Sequence, residues 1–396
     1  MNHGTPWRQA FRVAADMAAT PPTRIALMSA VGTMLAQPVV AQTDIPPLLA
    51  AATNGYAVRG IGPWGVVGPG EELADGQAAP IRTGDPVPPG AAAVLPDSHA
   101  VVESGPELVL VGDPATGRPS SRPGMVDPGS GMLDRGVQAR AGDVLAKPGT
   151  VVTAGTVALA AAAGMDELVI TPPATVTPVL MESDLLESGP PRRGRNRDVV
   201  APLLAAWLLG SGARSLPEVT GSSDPRALAA AIDAAGSDLT VVTATAHPGI
   251  GSAVTSALDL LGAETLIDRL AVRPADAVLL AELRDGRRVL ALPREPAAAA
   301  VVMALLLTPM ISALSGRPAS RMRSVMLRDG VPQTHGERAV AIQIDEGELA
   351  DLAVVQPWSG PSGLGAIGTC DAIAFIEAGR GNRGDSVPAM ELPGRV

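Results

Sequence analysis

Between residues 173 and 316 the apolar positions fall into segments of two lengths. Short, β-branched runs occupy 174–180, 239–243 and 288–292, and each reads as a strand buried on both faces. Longer segments at 199–209, 225–235, 253–261 and 297–306 carry apolar residues at helical spacing. Strands separated by helices of these lengths imply parallel βαβ units, so this region is expected to be a doubly wound α/β domain. Elsewhere the texture differs. Residues 7–19 and 25–35 have helical spacing on either side of Pro21-Pro22 and predict a helical N-terminal element. From Pro46 to about Gly129 short apolar segments alternate with Gly/Pro turns, as in a small β domain. A turn-rich stretch then leads into an Ala-rich helix at 156–163, with Gly164 as its C-cap. From about Arg317 short strands and turns return, predicting a second small β domain.

The 396-residue length calls for more than one core, and 46% hydrophobic residues with a mean hydropathy of +0.24 place the chain among globular proteins. Only 2% of residues are aromatic, so close packing of Ala, Val, Leu, Ile and Met has to replace large ring anchors. A net charge of -10 argues against nucleic-acid binding, which needs a broad basic field. One basic run, Arg192-Arg-Gly-Arg-Asn-Arg197, stands out; it reads as a solvated loop or as a site for an anion or acidic partner. The single cysteine, Cys370, rules out an internal disulfide or a cysteine-rich metal site and points to the cytoplasm. Residues 25–41 resemble a signal-peptide core but begin far from Met1 and contain Pro38. The run 297–314 approaches membrane-spanning length, yet Thr308 and Pro309 interrupt it, so a buried helix is expected and no transmembrane segment.

Candidate chemistry concentrates after the strand 239–243. There Thr243-Ala-Thr-Ala-His-Pro-Gly-Ile-Gly-Ser252 forms the loop leaving the strand's carboxyl end, the position at which open α/β sheets bind ligands. His247 reads either as an acid/base group or as a solvated loop histidine. Asp198 reads either as a site acid or as the N-cap of the following helix. Thr83 reads either as a site hydroxyl or as a turn threonine bonded to its own backbone.

Several phrases resemble the molybdopterin molybdenumtransferase family, which includes the C-terminal domain of gephyrin. Asn54-Gly-Tyr-Ala-Val-Arg59 is similar to the family's Met-Asp-Gly-Tyr-Ala-Val-Arg. The segment from Ile81 to Val94 resembles its Thr-Gly-Ala-x-Val-Pro-x-Gly-Ala-Asp, Ala141-Gly-Asp-Val-Leu145 its Gly-Asp-x-Leu turn, and Arg288 to Pro296 its Gly-Leu-Pro-Gly-Asn-Pro. The resemblance spans nearly the whole chain. It implies an elongated α/β multidomain protein of four subdomains: residues 1–45 with 138–172, a β-rich insert at 46–137, a molybdopterin-binding α/β domain at 173–316, and a C-terminal β domain at 317–396. It also implies a homodimer and an activity, the insertion of molybdate into adenylated molybdopterin assisted by Mg²⁺.

Carried over residue by residue, the family's machinery is only partly present. The resemblance implies catalytic roles for Asn54, Asp184 and Asp198, with Asp184 also the metal ligand. It implies cofactor contacts from Thr83, Thr243, Gly249, Gly251, Ser252, Arg273, Pro293 and Pro296. Asn54 stands where the family has Asp, and Ala244 and Thr245 replace paired glycines that let the backbone approach phosphate. Ser252 replaces a carboxylate, Asp276 a cation and Gln138 an acid. These departures imply reduced or lost turnover. The alternative is a non-catalytic, gephyrin-like scaffold that binds a peptide or membrane-associated partner in the groove between the C-terminal and α/β domains.

Overall fold

In a computed structural model, residues 4–103, 108–113, 118–119, 125–181, 185–192, 194–244, 248–332, 336–347, 350–358 and 363–394 are described. The chain is a multidomain α/β protein that divides into two compact units, one of residues 24–31 and 37–169, the other of residues 1–23, 32–36 and 170–396. The four-part division expected from the sequence is finer than these two units.

The larger unit holds a seven-stranded sheet built from β1 (Thr175–Met181), β2 (Arg214–Ser215), β3 (Val219–Gly221), β4 (Leu239–Thr243), β5 (Glu264–Ile267), β7 (Leu279–Glu282) and β8 (Arg288–Leu292). β1, β4 and β8 run parallel, β2 and β3 both pair in parallel with β1, and β7 and β5 complete the far edge antiparallel. Every residue of β4 and β8 is buried, as continuous Leu-Thr-Val-Val-Thr and Arg-Val-Leu-Ala-Leu runs require when helices cover both faces. The buried Arg288 is accommodated because its guanidinium meets Glu282 at 2.9 Å and donates to the carbonyls of Val13 and Asp16, fastening the end of α1 (Trp7–Ala15) to the sheet.

The helices follow the expected spacing. α2 (Val200–Gly210) buries Leu204, Trp207 and Leu208, while α3 (Pro225–Ala234) begins on Asp224, whose carboxylate accepts from Arg226 and Ala227 N–H. α4 spans Pro248–Leu261, starting five residues before the expected 253. The nearly membrane-length run forms α5 (Pro296–Leu314), which is 83% buried and therefore a core helix. It continues past its expected end at 306 because a π-helical turn, Met303–Leu307, absorbs Pro309, which has no N–H to give. Thr308 closes the gap, donating from Oγ1 to the Met303 carbonyl and accepting from Trp207 Nε1.

A second sheet in the same unit comprises β6 (Val272–Arg273), β9 (Arg323–Leu327), β10 (Glu337–Asp345), β11 (Leu352–Gln356), β12 (Ala372–Ile376) and β13 (Ser386–Glu391). β10 pairs with both β11 and β12, so the ladder closes on itself and little edge remains exposed. Arg323 ties three of its segments together through Asp351, Glu391 and Glu346.

The smaller unit is centred on the antiparallel strands Gly55–Val58, Gln77–Ile81 and Ala93–Pro96. Its helix, Ala154–Ala162, opens with a reciprocal Thr153/Thr156 capping box. The helix expected over 25–35 is not formed. A strand at Thr23–Ala26, a 3-10 turn at Leu27–Ser29 and a strand at Met34–Leu35 take its place. That run is apolar on every face, so its spacing could not distinguish helix from strand, and Gly32 at φ 84° breaks it.

Candidate functional site

The carboxyl ends of β1 and β3 open onto a cleft of about 910 Å³. Leu180, Met181 and Val219 give it an apolar floor, the first turns of α2 supply Ala201, Pro202 and Ala205, and Glu187, Asp198 and Glu218 bring carboxylates to its wall. Asp198 is fixed by the helix it precedes, because its Oδ1 accepts from Val200 N–H at 2.9 Å and Ala201 N–H at 3.3 Å. The cap reading of Asp198 therefore holds, and the residue lines the cleft as well. No lysine or arginine among the described residues lines this space. Its walls suit the amino and ring N–H groups of a neutral heterocycle better than a bare phosphate.

The end of β4 is closed by contrast. Thr243 is buried and its Oγ1 accepts from Met181 N–H at 3.2 Å. The next amide, Ala244 N–H, donates to the Leu292 carbonyl at 2.8 Å, continuing the sheet. Both groups are committed to holding β1, β4 and β8 together. Residues 245–247, including His247, and residues 182–184, including Asp184, lie outside the described residues. The early start of α4 places Gly249, Gly251 and Ser252 in its opening turns. Pro293 is buried between β8 and α5, and Pro296 occupies the first turn of α5, where its fixed φ suits helix entry.

Arg273 does not sit in the α/β sheet. It belongs to β6, whose parallel register with β10 sets Arg273 beside Arg338 and Val272 beside Glu337. Both arginines line a pocket of about 570 Å³ with Pro274, Val340 and Trp358. Arg338 Nε and Nη2 are buried with no hydrogen-bond partner, and burial pushes its guanidinium below the ordinary arginine value. Glu337, the nearest acid in the lining, is engaged elsewhere: its Oε2 accepts from Trp7 N–H at 3.1 Å. Two like charges on neighbouring strands, one of them short of acceptors, make an anion-binding arrangement. Sequence reasoning missed Arg338. Its only mark is a charged residue heading the buried run Ala339-Val-Ala-Ile342, and it gains meaning from the register with Arg273.

In the smaller unit the structure brings Asn54 and Thr83 together. Asn54 Oδ1 accepts from Thr83 N–H at 2.9 Å and from Thr83 Oγ1 at 3.1 Å, pinning an exposed turn in which Gly84 adopts φ 87°. Asp85 completes the turn by accepting from Arg82 N–H. Nearby, Asp44 accepts from Ala141 N–H and the Arg135 guanidinium, which together hold its carboxyl below the usual range.

Among the described residues no group of three His, Cys, Asp or Glu side chains is placed to hold a metal ion. One oxygen of Asp198 is occupied by helix amides, and Asp184 is not among the described residues. The donor set in view does not fit Mg²⁺, and no chemistry is routed through it.

Comparison with known proteins adds the following. The family profile of the MoeA N-terminal region, domains I and II, matches residues 5–164. Molybdopterin molybdenumtransferase 1 of Mycobacterium tuberculosis is 28% identical over 366 residues, covering 82% of each chain. The molybdopterin molybdenumtransferase of Synechococcus elongatus is 26% identical over 316 residues, covering 73% of this chain and 75% of the relative. A crystal structure of a molybdopterin biosynthesis MoeA protein from Pyrococcus horikoshii superposes with a TM-score of 0.74 at 21% identity, covering 99% of this chain and 100% of that one.

Proposed function

We propose that this chain, which belongs to the MoeA family, acts in molybdenum cofactor biosynthesis by holding molybdopterin in the cleft beyond β1 and β3, and that it inserts molybdate more slowly than its relatives. The observation that carries the reading is the cleft itself, which lies at the strand ends where α/β folds place ligands. Its carboxylates can accept from a pterin's amino and ring N–H groups, while the apolar floor takes the flat ring. Arg273 and Arg338 offer a tetrahedral oxyanion such as molybdate the donors that the cleft lacks.

Slow turnover follows from what the remaining groups can supply. Losing one preorganised electrostatic group costs about 10²-fold to 10³-fold in rate. Here Asn54, Ala244, Ser252 and Gln138 each stand in place of a group the family uses, and effects of residues acting as a unit do not add. The scaffold alternative loses ground because the relatives matching 82% of the chain are named as transferases.

A homodimer in the cytoplasm completes the reading. The helix Ala154–Ala162 is apolar throughout, and Leu159, Met28 and Val31 stay exposed in its unit, a surface that a second copy would cover. Light scattering giving the monomer mass at micromolar concentration would remove the dimer. Calorimetric titration with molybdopterin and with its adenylated form tests the function: saturable binding of either supports it, and binding of neither ends it.

A further inference from the structure

The basic run at 192–197 is not accounted for by that reading, and the structure gives it a definite place. Leu186 bridges to Arg197, Leu186 N–H donates to the Asn196 carbonyl, and Asp198 N–H donates to the Leu186 carbonyl. Paired backbone bonds between Arg192 and Arg195 close the tip, where Gly194 adopts φ 73°. The segment therefore leaves the cleft wall at Leu185 and Glu187 and returns to it at Asp198. Arg195 donates to the Leu185 carbonyl at its base. Arg192 and Arg197 are exposed, and neither side chain has a partner among the described residues.

In a chain of net charge -10, such a concentration of arginine at the mouth of a carboxylate-walled cleft is a division of labour. The cleft can hold a neutral, N–H-rich heterocycle but repels phosphate. The loop rising from its rim can hold phosphate but has no cavity. The usual phosphate cradle, a run of free amides at a strand end, is diminished because Ala244 N–H is spent on Leu292.

We propose that Arg192 and Arg197 grip the diphosphate of a ligand whose heterocycle occupies the cleft, so that this loop supplies the phosphate recognition that the β4 loop no longer provides. The proposal rests on the cleft being the ligand site. It assigns a diphosphate ester, rather than a monophosphate or an unphosphorylated heterocycle, as the species bound most tightly. Guanidinium is suited to the task because its donors match phosphate oxygens two at a time and its charge is permanent.

The test compares ADP with adenosine as probes, titrated calorimetrically against the full-length wild type, the double variant Arg192→Gln/Arg197→Gln, and Arg192→Lys/Arg197→Lys. Loss of two charge-assisted contacts should weaken ADP by about tenfold to a hundredfold in the glutamine variant. Adenosine affinity and melting temperature should stay unchanged, and the lysine variant should recover part of the loss. The proposal is overturned if ADP affinity is the same in the glutamine variant, or if adenosine falls in parallel with ADP. Molybdopterin titrated against the same wild type separates the two levels of the argument. If it binds while the arginine changes leave ADP unaffected, only this inference fails; if wild type binds neither molybdopterin nor ADP, the cleft assignment fails with it.

Discussion

Two neighbouring strands of one sheet, β1 and β4, run parallel and end differently. At the end of β4 the hydroxyl of Thr243 and the amide of Ala244 are both consumed inside the sheet, by Met181 and Leu292. At the end of β1 the chain opens onto a cleft of about 910 Å³, and the first amides of α2 are held by Asp198 at its wall. A strand end becomes a binding site only if its polar groups are left over once the sheet is built. The difference teaches that a loop in the expected place can be structural while the chemistry moves to its neighbour.

The largest effect should come from filling the open end. Ala205 is exposed and lines the cleft, so Ala205→Trp should reduce molybdopterin affinity by at least about 100-fold, the worth of displacing a ligand ring from its pocket, with the melting temperature unchanged. Calorimetry beside thermal denaturation checks both halves, and undiminished binding would place the pterin elsewhere. Next in size is the arginine pocket. Arg338→Leu should weaken molybdate binding by about 1.5–3 kcal/mol, the range for a hydrogen bond to a charged group. It should also raise the melting temperature, because two buried, unpartnered nitrogens disappear. A variant that melts lower and binds molybdate as before would make Arg338 a purely structural residue.

The closed end should answer in stability instead. Thr243→Val leaves Met181 N–H buried without its acceptor and should cost about 1–3 kcal/mol in denaturant unfolding, whereas Thr243→Ser should cost less. If Thr243→Val unfolds like wild type but loses ligand, the closed end is part of the site after all.

Much of this was legible from the sequence, and the reason differs by element. β4 falls on its expected residues, 239–243, because a fully buried parallel strand needs an unbroken β-branched run and little else. The helix expected at 25–35 was illegible because an apolar run without polar positions has no face to read. In the candidate site, Asn54 and Thr83 were both named from the sequence, and the structure joins them in one turn. The placement of Arg273 beside Arg338 was not legible, since it depends on a pairing between strands about 65 residues apart, a distance local patterns do not span.

The smallest expected effect concerns pH and compares the two units. Asp44 in the smaller unit and Asp385 in the larger are both held below the ordinary 3.8, chiefly by backbone N–H donors, from Ala141 and from Gly381 respectively. A depressed carboxylate contributes stability that is present above its unfolded value and is lost as pH falls through its folded value. The melting temperature should therefore hold down to about pH 4 and decline below it. Asp44→Asn should flatten the early part of that decline, as followed by thermal scans between pH 6 and pH 2. A decline of equal slope in the variant would remove Asp44 from the account.

The central claim, that the chain keeps the family's ligand site while losing its rate, is met most directly by assaying molybdate insertion into adenylated molybdopterin beside an intact relative under saturating conditions. The account predicts a bound pterin and an insertion rate lower by at least about 100-fold. Insertion at the relative's own rate would contradict it, and would show that the substitutions at Asn54, Ala244, Ser252 and Gln138 are compensated within the site.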